Sequence, residues 1–129
     1  MEGGDGKIKT FTDLEAWKEG HKLVLMAYEL TRKFPKEEMF GLVSQMRRSA
    51  VSVTSNIAEG FSRQSWKEKV QFYSMSIGSL TELQNQLLVC RDIHYVTSEE
   101  FTRAIVQSVK THKIINGLIK SSKNKIPNS

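Results

Sequence analysis

The chain has 129 residues, of which 39% are apolar and 26% charged, and its formal net charge is +5. This length and composition predict one folded domain and exclude a disordered chain. The single cysteine, Cys90, excludes an internal disulfide and suits a reducing compartment. No apolar run approaches the roughly 20 residues that span a bilayer, and the N-terminus lacks the apolar region of a signal peptide. We therefore expect a cytoplasmic protein.

The first helix is bounded by a capping signal and a proline. Residues 1–10 are rich in glycine and predict a flexible tail. The sequence TDLE at Thr12–Glu15 predicts a capping box, in which the threonine and glutamate side chains satisfy free N–H groups of the first turn. Pro35 cannot continue the hydrogen-bond ladder, so we expect the helix to end near Phe34.

The second helix is expected from about Lys36 to Gly60 or Phe61. Gly41 predicts a kink or a short separate turn, and Gly60 is expected to supply a left-handed stop. The apolar residues repeat in alternating steps of three and four, which indicates one buried stripe. That stripe consists of Val43, Met46, Ala50, Val53 and Ile57.

Two further capping boxes predict the third and fourth helices. SWKE at Ser65–Glu68 opens a helix that is expected to last until about His94. TSEE at Thr97–Glu100 opens a helix that is expected to reach about Ser122, and residues 123–129 predict a second flexible tail. The domain is therefore expected to cover residues 11–122.

The periodicity is helical throughout, with no stretch of β-type alternation. Three short connections force consecutive helices to be antiparallel neighbours. The predicted fold class is therefore all-α, as an antiparallel up-down-up-down four-helix bundle. The third helix should be roughly 40 Å long at 1.5 Å per residue.

Counting from the turn between helices 2 and 3 places residues whose numbers sum to about 130 at the same height. Ser52 is then level with Gly78, and close backbone approach would explain a glycine that otherwise costs about 1 kcal/mol in a helix. Arg48 is level with Glu82, so we expect these two to form an ion pair while Arg47 points outward. The side chains assigned to packing and assembly are Arg48, Ser49, Ser52, Asn56, Glu59, Gly78 and Glu82.

The sequence contains no pattern that predicts a reaction. The histidines His21, His94 and His112 lie on different helices or helix ends, without cysteine or carboxylate at metal-ligand spacing. Cys90 lies in an apolar segment and is expected to be inert core. Asn56 and Glu59 are three residues apart on a helix, which favours capping or packing over catalysis. We therefore expect no catalytic residues, no metal and no cofactor.

The basic residues suggest an anionic partner. From Ser98 to Ser129 there are six Lys or Arg against two Glu, so this quarter carries four of the five net charges. Such an excess attracts phosphate groups, although a solvated lysine face that aids solubility explains it equally well. Trp17 and Trp66 have core-like spacing and are expected to be packed. The candidate nucleic-acid-binding residues are Arg47, Arg63, Lys67, Lys69, Lys110, Lys113 and Lys120.

Four segments together resemble a known family. They are FTDLEAWKEGHKL at 11–23, Y-x-L-T-x-x-FP-K-x-E at Tyr28–Glu38, GL-x-x-QMRRSAVSV-x-SNIAEG at Gly41–Gly60 and QFYSMSIGSLTEL at Gln71–Leu83. The family is that of the 23S rRNA intervening-sequence proteins, also labelled S23 ribosomal protein. A more distant resemblance is to the accessory variability protein of diversity-generating retroelements.

The resemblance implies a small bacterial cytosolic bundle, typically a ring-like homopentamer, with no known enzymatic activity. The resemblance is compatible with two functions. The first is a non-catalytic oligomer that binds nucleic acid, RNA rather than DNA, through basic surface patches. The second is a protein–protein adaptor that recruits an enzyme such as a reverse transcriptase.

Overall fold

The computed structural model describes residues 7–127, which fold into four long helices. They are α1 (Glu15–Thr31), α2 (Ser44–Ser62), α3 (Trp66–Asp92) and α4 (Ser98–Lys123). The described residues contain no strand. Residues 1–6 and 128–129 of the two predicted tails lie outside the described residues.

The helices form a ring of antiparallel neighbours in the order α1, α2, α3, α4. Between α2 and α3, Met46 meets Cys90 and Ser52 meets Ser79, so residue numbers rise along one helix and fall along the other. The other neighbouring pairs are joined by Thr31–Arg47, Gln84–Ser108 and Glu19–Gln107. The predicted four-helix bundle is confirmed. The predicted register of α2 and α3 is correct within one residue at Ser52 and Ser79, whereas the contact of Met46 with Cys90 departs from it by six residues.

The start of α1 differs from the prediction. The Thr10 hydroxyl accepts from the Thr12 backbone N–H at 3.2 Å, and the Asp13 carboxylate accepts from the Thr10 N–H at 3.0 Å. This box opens a short 3-10 helix at Phe11–Asp13 instead of α1. Leu14 is extended and makes no side-chain cap, so the predicted box at Thr12–Glu15 is wrong. Thr10 and Asp13 lie two positions before Thr12 and Glu15, have the same spacing, and form the capping box instead.

The connection between α1 and α2 is more irregular than expected. It contains a 3-10 helix at Lys36–Glu38 and a π-helical turn at Met39–Val43, in which Gly41 has the non-helical angles φ −111° and ψ −108°. The predicted kink at Gly41 is therefore confirmed, and α2 proper begins only at Ser44. This turn leaves Phe40 94% exposed.

Two glycines play roles opposite to those predicted. Gly60 lies inside α2, which ends two residues later at Ser62, so the expected left-handed stop is wrong. A Cβ at Gly60 would lie 2.7 Å from Cε1 of buried Tyr73, so this glycine permits close approach of α2 and α3. A Cβ at Gly78 would have nothing within 4 Å, so the predicted close contact there is absent within the chain.

The predicted capping box is complete at α4, whereas at α3 only the bond accepted by Ser65 is present. Ser65 accepts from the Glu68 backbone N–H at 3.1 Å, and Thr97 and Glu100 form the complete reciprocal box. Cys90 is fully buried, and its thiol donates to Met46 Sδ at 3.3 Å. Burial raises the pKa of this thiol to about 11, as expected for a core cysteine.

Candidate nucleic-acid interface

Positive charge is concentrated at one end of the bundle. In an up-down-up-down arrangement, α1 and α3 begin where α2 and α4 end. The cations on the described residues of this end, which we call the basic end, are Lys7, Lys9, Lys18, Arg63, Lys67, Lys69, Lys113, Lys120, Lys123 and Lys125. Its acids are Asp13, Glu15, Glu19, Glu59 and Glu68, so cations exceed acids by five.

The opposite end has no such excess. Its cations are Arg32, Lys33, Lys36, Arg47, Arg48, Arg91 and Arg103, and its acids are Glu29, Glu37, Glu38, Glu82, Asp92, Glu99 and Glu100, so the two kinds of charge balance. Several of these residues form ion pairs, including Arg32 with Glu29 at 3.1 Å and Arg91 with Asp92 at 2.8 Å. The bundle is therefore electrically polar along its length.

Several lysines of the basic end have exposed side chains that make no hydrogen bond or ion pair with the described residues. Among them are Lys67, Lys113, Lys120 and Lys123. Lys113 and Lys120 are seven residues apart and therefore lie on one side of α4. Ammonium groups that lack an intramolecular partner can bind phosphate without first breaking a contact within the chain.

Three other cations at this end, Arg63, Lys69 and Lys125, are held against aromatic rings. Arg63 forms an ion pair with Glu59 and lies 4.5 Å above the ring centroid of Phe72. Lys69 donates to the Phe61 carbonyl at 2.6 Å, and burial lowers its pKa. Lys125 lies 4.6 Å from the ring centroid of Trp66. These contacts position positive charge over the half-buried ring of Trp66. Of the two tryptophans predicted to be packed, Trp17 packs against the core.

Arg47 lies away from the basic end, packed between α2 and α1. Its Nε donates to the Thr31 hydroxyl at 2.9 Å, and its guanidinium lies 4.5 Å above the Tyr28 ring centroid. Arg48 is the exposed arginine and makes no ion pair with Glu82. The predicted ion pair is therefore absent, although Arg48 and Glu82 line one small pocket between α2 and α3. The expectation that Arg47 points outward is wrong, because Arg47 meets α1.

Lys110 belongs to a separate cluster around a buried carboxylate that the sequence analysis did not single out. Glu19 is 3% exposed, and its Oε1 accepts from Gln107 Nε2 at 2.9 Å. Lys22 and Lys110 lie 3.0 and 3.5 Å from its carboxylate oxygens. The hydrogen bond from Gln107, with the two lysines, lowers the pKa of Glu19 to about 2. This cluster joins α1 to α4.

The polar row of α2 is used for packing. Asn56 donates to the Ser52 carbonyl at 2.9 Å, and the hydroxyls of Ser52 and Ser79 are 2.8 Å apart. Ser49 is buried, whereas Glu59 pairs with Arg63. Asn56 and Glu59 therefore form no paired catalytic arrangement.

The described residues also contain no cluster of three or more side chains suited to hold a metal. His21 stacks on Trp17 with ring centroids 4.6 Å apart, whereas His94 and His112 lie elsewhere. In the described part of the chain, none of the helices is both long and apolar enough to cross a membrane.

An open groove of about 680 Å³ runs along the outer side of α2. Its lining, which we call the α2 groove, consists of Tyr28, Met39, Phe40, Val43, Ser44, Arg47, Arg48, Val51, Ser52 and Ser55. The lining includes two arginines and no acid. Exposed Met39, Phe40 and Val51 make it partly apolar.

Comparisons with known proteins support the bundle. Residues 12–117 match the family model described as 23S rRNA-intervening sequence protein. A solved structure of a protein with unknown function from the S23 ribosomal protein family of Bacteroides thetaiotaomicron matches with a TM-score of 0.75 and 20% identity. The match covers 81% of this chain and 95% of that one. At this identity the similarity establishes the fold alone. No curated protein matches the chain.

Proposed function

This chain belongs to the 23S rRNA-intervening sequence protein family, and we propose that it is a non-catalytic, cytoplasmic, oligomeric bundle that binds RNA through its basic end. The observation that carries the proposal is the separation of charge along the bundle. One end has an excess of five cations, and the other has as many acids as cations.

The chemistry of the basic end favours contact with phosphates over contact with bases. Its free lysines are flexible point charges, whereas Arg63 is already paired with Glu59. The aromatic rings nearby are covered by cations, as Trp66 is by Lys69 and Lys125. A surface of this kind binds the backbone of a nucleic acid and confers little sequence preference.

The proposed contacts are Lys67, Lys113 and Lys120, with Arg63 and Lys69 as positioned charges beside them. Arg47 and Lys110, which were also candidates from the sequence, would contribute to the general positive field. Assembly into a homo-oligomer, as a pentamer, would increase the affinity by presenting several copies of this weak surface together.

The test measures binding to an RNA hairpin with single-stranded flanks at several salt concentrations. We expect affinity to fall steeply with salt, and the double variant Lys113→Glu/Lys120→Glu to bind at least about 10-fold more weakly. Loss of two phosphate contacts should also reduce the slope of log affinity against log salt by about 1.5.

The matched control reverses two exposed cations at the opposite end, Lys36→Glu/Arg103→Glu. Both double variants change the net charge by the same amount. A smaller loss of RNA affinity in the control would therefore show that the position of the cations matters and not only the total charge. Equal weakening by both double variants, or binding that does not respond to salt, would contradict the proposal.

The second candidate function is an adaptor that recruits a protein such as a reverse transcriptase. The exposed apolar residues of the α2 groove favour it, because binding surfaces commonly combine aromatic and arginine side chains. A stoichiometric protein partner that survives nuclease treatment, together with the absence of RNA binding, would select this function.

A further inference from the structure

We propose that a row of aromatic rings on and just before α1, beside the basic end, stacks with unpaired bases and makes the protein prefer single-stranded RNA. This row, which we call the α1 ring row, consists of Phe11, Trp17 and His21. The inference rests on the proposed RNA binding, to which it adds the class of RNA and a second kind of contact.

The first argument is the geometry of the rings. Trp17 and His21 are stacked, with ring centroids 4.6 Å apart and planes 12° apart, and Phe11 meets Trp17 edge-on at 5.7 Å. Trp17 packs against the core and therefore fixes the middle of the row. Nucleobases stack on aromatic side chains face to face, as His21 does on Trp17. The row is therefore a preformed surface onto which a further flat ring can be added.

The second argument is that the row reaches solvent at both of its ends. Phe11 is 36% exposed at the first end. At the second end His21 is half-buried, and Leu25, one turn further along the same side of α1, is 58% exposed. Trp66 differs in this respect, because two lysines lie over its ring. An unpaired base can therefore reach the α1 ring row from either end.

The third argument is the placement of charge around the rings of α1. Exposed Lys18 follows Trp17 directly and lies three residues before His21, so its side chain borders the row. Glu15 and Glu19 are each two residues from Trp17, which is about 200° around the helix. The two acids therefore project from the opposite side of α1, where Glu19 is buried against α4.

The start of the row has the same character. Exposed Lys9 lies two residues before Phe11. The carboxylate of Asp13, two residues after Phe11, accepts from the backbone N–H groups of Lys9 and Thr10 at 2.8 and 3.0 Å. Aromatic rings bordered by cations bind single strands without reading their sequence, because every base has a face that can stack. A duplex keeps its bases stacked inside the helix and cannot use the row.

The test measures the affinity of the full chain for an unstructured oligouridine and for an RNA duplex of the same length. The double variant Phe11→Leu/His21→Leu should bind the single strand about 10-fold more weakly and the duplex within about 2-fold of the wild type. It removes no lysine or arginine, so the slope of log affinity against log salt should not change.

Two controls separate stacking from other effects. Phe11→Tyr/His21→Phe alters the same positions but keeps both rings, so it should retain the affinity for the single strand. Phe40→Leu removes a ring that is 94% exposed at the opposite end of the bundle, and it should bind both RNAs as the wild type does. An equal loss of single-strand affinity in Phe40→Leu would overturn the assignment to α1.

Tryptophan fluorescence gives a readout that needs no substitution within the row. The chain has two tryptophans, so in Trp66→Phe the remaining one is Trp17. A base added to the row lies within one ring of Trp17. The oligouridine should therefore quench the emission of this variant, and the duplex should change it much less.

Failure of this inference differs from failure of the proposed function. A wild-type chain that binds neither RNA overturns both. Salt-dependent binding of both RNAs that is unaffected by Phe11→Leu/His21→Leu, with no quenching of Trp17, leaves RNA binding by the basic end intact and overturns only the α1 ring row. Equal weakening of both RNAs by that variant also overturns the preference for single strands.

Discussion

Glu19 is predicted to make the stability of the bundle depend on acid, and Glu19→Gln should remove most of that dependence. The carboxylate is buried between α1 and α4, where Gln107, Lys22 and Lys110 stabilise its charged form. Because its pKa is about 2 in the folded chain against an ordinary value of 4.5, folding favours the ionised group. The stabilisation is complete above pH 4.5 and is lost as the pH falls toward 2.

The magnitude follows from the size of the shift. A difference of about 2.5 pKa units corresponds to about 3 kcal/mol in the free energy of unfolding. At pH 3 the unfolded chain is mostly protonated at this position while the folded chain is not, so about 2 kcal/mol of that contribution is lost. Glu19→Gln should therefore cost about 3 kcal/mol at pH 7 and only about 1 kcal/mol at pH 3.

The assay is urea denaturation of the wild type and of Glu19→Gln at pH 7 and pH 3, with unfolding monitored by circular dichroism. The control is Glu29→Gln on the same helix, where the ion pair with Arg32 is exposed on both sides. Exposed pairs contribute little, so this variant should change stability by less than about 0.5 kcal/mol at either pH. Equal destabilisation by Glu19→Gln at the two pH values would refute the reasoning, because the effect would then not arise from ionisation.

Two further predictions concern packing. Gly60→Ala should destabilise the bundle by about 1–2 kcal/mol in urea denaturation, because its Cβ would meet the buried ring of Tyr73 at 2.7 Å. The control Gly117→Ala has open space and should stabilise by up to about 1 kcal/mol, and the same sign for both would contradict the packing argument. Cys90 should react with a thiol reagent at pH 8 only as fast as the chain unfolds, since it is buried and its pKa is raised to about 11. Rapid labelling of the native protein would contradict this.

The architecture could be predicted because its signals are local. Pro35, Ser65 and Thr97 each mark a helix boundary through the hydrogen bonds of one turn. The period of the apolar residues identifies the buried face of each helix without knowledge of its neighbours. For these reasons the number of helices and their antiparallel order follow from the sequence.

The details that failed depend on helix rotation and on distant contacts. Successive residues on a helix point about 100° apart, so Arg47 and Arg48 meet different neighbours, and the contact of Arg47 with α1 depends on a helix pair that the count along α2 and α3 did not consider. The direction in which each glycine points also depends on helix rotation. Gly60 faces α3, whereas Gly78 faces outward. Glu19 could not be identified because its main partner, Gln107, is 88 residues away in the sequence.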